Sequence, residues 1–181
     1  MKIENDIITI DRQYKLENGT IINRFSHVVK GAEIGDNCMI GEHCYIAGGV
    51  KLGNGVRVQN GNNLWDGVEL GDYVFIAPAV VFTNHHNPHD RHNHNNFVAD
   101  KTIIGERSTL CANCTIIAPK VIGKNVVIGG GALVLVNVPD NVKVFGRVCK
   151  NSYASLIQNG TAIKGRLDVS GNFYTDSSNQ Q

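Results

Sequence analysis

The chain has 181 residues, 42% of them hydrophobic, and a formal net charge of +1. That length allows one domain with a sizeable core, and the balanced charge gives no reason to expect nucleic acid as a partner. No apolar run approaches the roughly eighteen residues of a spanning helix, so no membrane insertion is expected.

The opening stretch MKIENDIITIDR lacks the features of a signal peptide, so a cytoplasmic location is expected. From Ile10 a bulky apolar residue recurs at every sixth position: Ile10, Leu16, Ile22, Val28, Ile34, Ile40, Ile46, Leu52, Val58, Leu64, Leu70, Ile76 and Phe82. The series breaks at a polar stretch and resumes at Ile104, Leu110, Ile116, Ile122, Ile128 and Val134. Neither a helix, with period 3.6, nor an ordinary strand, with period 2, gives that spacing. A hexapeptide period predicts an all-β chain folded as a parallel β-helix, three short strands to each triangular coil of about eighteen residues. About six such coils, stacked at the ~4.8 Å spacing of strands, make a prism roughly 30 Å long.

Four residues after each marker comes a second inward position, filled by Ala32, Cys38, Cys44, Val50, Val56, Val68, Val74 and Val80. Two residues break that rule, Asn62 and Lys120. A buried unpaired amide or ammonium is costly, so each must turn outward, find partners or mark a distorted coil. Of the five cysteines, Cys38, Cys44 and Cys114 fall on this inward position and read as core filler in a reducing compartment. The Cys111-x-x-Cys114 spacing has no thioredoxin-like βαβ context, and the repeat already explains Cys114.

Residues 1–144 form the predicted β-helix, interrupted by an excursion at 85–101, and residues 145–181 form a short extension outside the repeat. The excursion, HHNPHDRHNHNNFVADK, holds His85, His86, His89, His92 and His94. Long loops on repeat scaffolds carry function, and imidazole suits a general base at neutral pH. No acidic ligand or regularly spaced pair stands out among these histidines, so no metal is expected. In the extension, RLDVSGNFYT alternates about Ser170-Gly171, which predicts a small hairpin or edge strands.

A regular prism has no cleft of its own, so a ligand site is expected in grooves between subunits packed side by side. The densest polar cluster is VQNGNNLWDGVEL, with Gln59, Asn60, Trp65 and Asp66. It reads either as an irregular turn or as a polar, aromatic-lined wall for a small ligand. Asp66 and Asn84 are one coil apart in the repeat, which stacks a carboxylate and an amide at the mouth of the excursion.

FSHVVKGAEIG at 25–35, VQN at 58–60, LWDGVEL at 64–70, VFTN at 81–84 and CANCTIIAP at 111–119 together resemble the hexapeptide sugar-nucleotide N-acetyltransferases. The similarity covers residues 16–150 and points to the branch that acetylates the 3-amino group of nucleotide-linked dideoxy sugars, such as a dTDP-3-amino-3,6-dideoxyhexose, for O-antigen or S-layer glycans. It implies a left-handed β-helix and a homotrimer that takes acetyl-CoA along the groove between two prisms. Asp66 and Asn84 would then meet the hexose near its amine, Gln59, Asn60 and Trp65 would line its pocket, and His27 would contact the nucleotide. Ala112 and Gly130 would offer backbone groups to the pantetheine arm, and Arg147 and Lys150 would neutralise the phosphates of CoA. His85 and His86 are the candidate bases. The closing G-N-P-A of the family is here Gly146-Arg147-Val148-Cys149, a departure near the expected phosphate contacts.

Three rival readings stand beside this one. An O-acetyltransferase needs a histidine base at a sugar hydroxyl, and the excursion could supply it. A γ-carbonic-anhydrase-like enzyme needs three histidines from two subunits around zinc. A non-catalytic scaffold leaves the polar cluster without a role.

Overall fold

The inward hexad positions build three flat faces. The computed structural model describes residues 7–10, 13–85, 98–150, 153–158, 161–168 and 170–175, and the described residues contain strands and turns and no helix. Strands fall into sheets of eight, five and eleven members. The first face stacks Ser26–Val29, Tyr45–Ile46, Asn63–Leu64, Val81–Phe82, Thr115–Ile116, Leu133–Val134 and Arg147–Val148. A second face runs Glu33–Ile34, Lys51–Leu52, Val68–Leu70, Thr102–Ile104 and Lys120–Ile122. On the third lie Ile21–Ile22, Met39–Ile40, Arg57–Val58, Phe75–Ile76, Thr109–Leu110, Val127–Ile128 and Val142–Val144. All these neighbours pair in parallel, Asn63 opposite Val81 and Thr102 opposite Lys120 for example. This is the left-handed β-helix of hexapeptide coils.

Every marker from Leu16 to Val134 is buried, at 9% exposure or less, in one continuous core. Asn62 finds partners instead of turning out. Its amide nitrogen donates to the carbonyls of Gln59 at 2.6 Å and Ala77 at 3.0 Å, and its oxygen accepts from the Val80 N–H at 2.9 Å. The same device recurs at inward residues that the repeat alone did not single out. Ser26 donates to the Gly41 carbonyl and accepts from the Cys44 N–H, Thr20 bridges Gly35 and Cys38, and Ser108 bridges Gly123 and Val126. A hydroxyl or amide at a corner thus stitches one coil to the next, satisfying backbone groups that a valine leaves to water or to the turn. Burial pushes the thiols of Cys38 and Cys44 up, and that of Cys114 to about 12, so all three stay protonated core groups.

Both ends leave the parallel pattern. Ile7–Ile10 pairs antiparallel with Ser26–Val29, and Tyr14–Lys15 pairs antiparallel with Ile21–Ile22. The markers Ile10 and Leu16 therefore keep the six-residue spacing without forming a coil. At the other end Tyr153–Gln158 pairs antiparallel with Val142–Val144, followed by Thr161–Leu167 and then Phe173–Tyr174. The last two form the hairpin about Ser170-Gly171. Leu167 is fully buried in the core, so the extension closes the top of the prism. The parallel ladder itself runs to Val148.

Candidate active site

The chain enters the first face at one corner and leaves it at the other, and the expected site residues divide between these two corners. The exit corner carries Trp65, Asp66, Asn84 and His85. Strand register places Asn84 one coil above Asp66, because Asn63 lies opposite Val81. The backbone N–H of Gly49 donates to Asp66 Oδ1 at 2.6 Å, which fixes an otherwise exposed carboxylate on the turn. A side chain at Gly49 would bring its Cβ to 2.8 Å from that oxygen. Trp65 leans on Tyr45, ring centroids 5.3 Å apart, and makes an aromatic wall beside Asp66.

The excursion is pinned at its base. Asp100 N–H donates to the Asn84 carbonyl at 2.9 Å, and Thr102 N–H donates to the Gly67 carbonyl at 2.9 Å. Gly67, at φ +91, must be glycine here, since a Cβ would come within 2.6 Å of the Asp100 carbonyl. The Asn84 side-chain amide makes no hydrogen bond to another described residue. His85 is half-buried beside it; His86, His89, His92 and His94 lie outside the described residues.

Two more charged groups join this corner. Lys120 takes the inward position above Thr102, half-buried, and its ammonium donates to the Pro119 carbonyl at 2.6 Å. Burial lowers its pKa, and the nearby Asp100 carboxylate acts in the opposite direction. Thr102 Oγ1, directly below, is buried without a hydrogen-bond partner. Sequence reasoning marked Lys120 only as an irregularity and missed Asp100, whose position against Lys120 depends on where the excursion returns. The mouth of the excursion thus gathers Asp66, Asn84, His85, Asp100 and Lys120.

Gln59 and Asn60 lie at the entry corner, so a single chain does not bring them together with Asp66 and Asn84. Asn60 Oδ1 accepts from the Glu42 N–H at 3.0 Å, a bond between turns like that of Asp72 to Asn54. Above them on the same corner stand Ala112 and Gly130. Gly131 N–H donates to the Ala112 carbonyl at 2.9 Å, and Gly130 leaves the surface there free of a side chain. Phe145 tops this corner, 65% exposed, followed by the exposed Arg147 and Lys150. His27 is exposed low on the first face, in register with Tyr45. Among the described residues no three His, Cys, Asp or Glu side chains converge as a metal-ligand set, and no helix is long and apolar enough to cross a membrane.

A strip with small turn residues on one corner and a polar, aromatic-walled mouth on the other is what this three-faced solenoid offers to ligands. Residues 14–48 match the model of the bacterial transferase hexapeptide (six repeats), and residues 101–135 match that of the hexapeptide repeat of succinyl-transferase. Both matched stretches are hexapeptide repeats. A bifunctional protein GlmU from Synechococcus sp. (strain CC9311) is 50% identical over 46 residues, 25% of this chain and 10% of that protein. GDP-perosamine N-acetyl transferase from Caulobacter crescentus, solved as a mutant with CoA and GDP-perosamine, is 19% identical, with a TM-score of 0.60 over 70% of this chain and 53% of its own. AntD, an N-acyltransferase from Bacillus cereus solved with dTDP and coenzyme A, is 17% identical, with a TM-score of 0.52 over 76% of this chain and 87% of its own. The chain spans a tenth of the first of these and about half of the second. The structural likeness shows the shared fold.

Proposed function

We infer that the protein is an acyltransferase that moves the acetyl group of acetyl-CoA to the amine of a nucleotide-linked amino sugar. The carrying observation is the stack of Asn84 above Asp66 at the pinned base of the excursion, where the Asn84 amide makes no hydrogen bond to another described residue. The similar solved proteins bind CoA with GDP-perosamine or with dTDP, which supports the same pair of substrate classes here. A dTDP-linked 3-amino-3,6-dideoxyhexose is the specific substrate proposed, destined for a cell-surface polysaccharide. The reaction belongs in the cytoplasm, where five free cysteines are at home.

The chemistry needs little more than position. The neutral amine attacks the thioester carbonyl, the new N–C bond forms, and the C–S bond breaks to release CoA as the thiol, which takes up the proton that the amine loses. A sugar amine is less basic than lysine, so part of it is uncharged near neutral pH. Holding amine and thioester in line can lower the barrier by roughly 7–11 kcal/mol. Asn84 Oδ1 accepts from the amine and aims its lone pair, a backbone N–H of a turn steadies the oxyanion, and Asp66 holds a hexose hydroxyl. Trp65 and Tyr45 cover the apolar side of the sugar.

The two corners carry different halves of this task, so the working form is a homotrimer. In it the exit corner of one subunit faces the entry corner of the next, and the acetyl-CoA strip of Ala112 and Gly130 lies against the sugar mouth. The test is product analysis by mass spectrometry with acetyl-CoA and a panel of thymidine- and uridine-linked 3- and 4-amino sugars. Gain of one acetyl group on an amine supports the reading. Acetylation of hydroxyls alone makes the protein an O-acetyltransferase with His85 or His86 as base, and no transfer to any sugar overturns it.

A further inference from the structure

The repeat fills its second inward position mostly with apolar residues, and Val50, Val56 and Val74 are fully buried there. Lys120 holds the same position half-buried, at the start of a second-face strand. A lysine in that place forgoes burial that a valine would gain, so the fold alone does not call for it. Its ammonium is drawn to the exit corner, where it donates to the Pro119 carbonyl at 2.6 Å. Directly below is the buried Oγ1 of Thr102, which has no hydrogen-bond partner among the described residues.

The height of Lys120 along the prism matters more than its depth. Ala112 and Lys120 belong to one coil, at the two ends of the first-face strand Thr115–Ile116. That strand lies opposite Val81–Phe82, so Asn84 is one coil lower, about 4.8 Å along the axis. Rotation about an axis parallel to the prisms leaves every height unchanged. In the homotrimer proposed above, the exit corner of one subunit therefore brings Lys120 level with the neighbouring donor strip at Ala112. A thioester held at the height of that strip and an amine held at Asn84 meet beside the lysine.

The reaction contains one task that Asn84 and Asp66 do not perform. When the amine adds to the thioester, nitrogen carries an extra proton, and sulfur leaves as a thiolate unless a proton reaches it. Both atoms are on the same carbon in the tetrahedral intermediate, so one ammonium at its edge reaches both. We propose that Lys120 is the proton carrier of the acetyl transfer: its Nζ–H protonates the sulfur as the C–S bond breaks, and the neutral Nζ then takes the proton from the new amide nitrogen. The lysine ends as it began, an ammonium, and the products are CoA as the thiol and the N-acetyl sugar. The inference rests on the acetyl-transfer reading and its shared interface. A carrier works best when its pKa is near those of the groups it serves. Burial makes this ammonium easier to deprotonate than an exposed one, and the Asp100 carboxylate acts the other way. The other titratable groups around it among the described residues are Lys101, paired with Glu69 at 3.1 Å, and His85 and Asp66 on the corner below.

The experiment measures acetyl transfer from acetyl-CoA to a dTDP-linked 3-amino-3,6-dideoxyhexose by the full chain and by Lys120→Val, Lys120→Arg and Lys120→Ala. Thermal melting and calorimetric binding of acetyl-CoA serve as controls. Lys120→Val restores the residue type of the repeat, so it should melt as high as the wild type or higher. Its kcat should fall by about 100-fold or more, the usual share of acid–base catalysis, with KM for both substrates little changed. Lys120 must be protonated to serve the sulfur, so wild-type kcat should decline as pH rises through its pKa, below the range of an exposed lysine. The valine variant should lose that limb. Arginine keeps the charge but cannot give up a proton, so Lys120→Arg should stay slow. Ethylamine should restore part of the rate of Lys120→Ala, read as acetylated sugar. Full activity in Lys120→Arg overturns the proposal in favour of a fixed charge, and a rise in KM for acetyl-CoA alone overturns it in favour of a donor contact. A valine variant that melts lower, with no amine rescue of the alanine one, makes Lys120 a structural tie and overturns it too. A valine variant with wild-type kcat and an intact basic limb overturns it and leaves the transferase reading standing. A wild-type chain that acetylates no sugar of the thymidine and uridine panel overturns both.

Discussion

Asn84 and Asp66 sit one above the other, yet their hydrogen bonding differs, and that difference separates their roles. Asp66 is already committed to Gly49 N–H, so its carboxylate is a fixed acceptor suited to holding a hydroxyl equally in ground and transition states. Asn84 makes no side-chain hydrogen bond to another described residue, and on the proposed reading it meets the atom whose bonding changes. Asn84→Ala should therefore lower kcat/KM by about 10- to 1000-fold, comparable to losing one well-placed bond of ~1.5–4 kcal/mol. Asp66→Asn should act mainly on KM. Steady-state kinetics on the acetylated sugar check both. A histidine base gives another pattern: His85→Gln would collapse kcat and remove the acidic limb of the pH–rate profile, while Asn84→Ala would stay active. The vertical relation of Asp66 to Asn84 was legible because an eighteen-residue coil is a ruler along the prism. The Asp100–Lys120 proximity was not, since the excursion separates them from that ruler. Thr20, Ser26 and Ser108 escaped notice for a different reason: small polar residues at an inward position look like surface until their bonds to adjacent coils are known.

Among the elements, the coils and the caps follow different rules. Ile34, Ile40 and Ile46 are each fully buried by the same hexad geometry, so any one of them announces the others. The six-residue spacing also runs through Ile10 and Leu16, where the strands turn back antiparallel and shield the first edge. Periodicity counts residues and carries no strand direction. At the top, Leu167 is buried by a hairpin that alternation in RLDVSGNFYT predicted, but its docking on the prism, through Tyr153–Gln158 to Val142–Val144, depends on pairing between segments of unrelated pattern. A solenoid without a cap exposes its last coil and its open strand edges, a template for further pairing. Leu167→Ala should cost about 2–5 kcal/mol in urea denaturation, the range for deleting a fully buried leucine side chain. Deleting residues 151–181 should do more, turning the exposed edge at Val142–Val144 into a self-association site that light scattering detects. A truncated chain that stays dispersed and melts like the full one would show that the prism needs no lid.

At the scale of the molecule, the geometry separates what the reaction must join. Ala112 and Gly130 stand where the chain enters the first face, and Asp66 and Asn84 stand where it leaves. A rigid prism cannot fold one corner onto the other, so on the proposed reading acetyl donor and sugar amine meet only if a second copy brings its corner across. Sedimentation at micromolar concentration should then give three times 19.7 kDa, but mass alone does not show that the site is shared. Mixing two inactive variants does. Asn84→Ala disables the exit corner, and Gly130→Trp blocks the donor strip at a position where a Cβ meets nothing nearer than 3.4 Å, so both chains should fold. Refolded together in equal amounts, they should recover roughly a quarter of wild-type activity. Each interface pairs one exit corner with one entry corner, and each of the two is intact about half the time. If both corners served within one chain, every subunit in the mixture would carry one lesion and no activity would return. Recovery near a quarter therefore assigns the site to the interface, and none assigns it to the single prism.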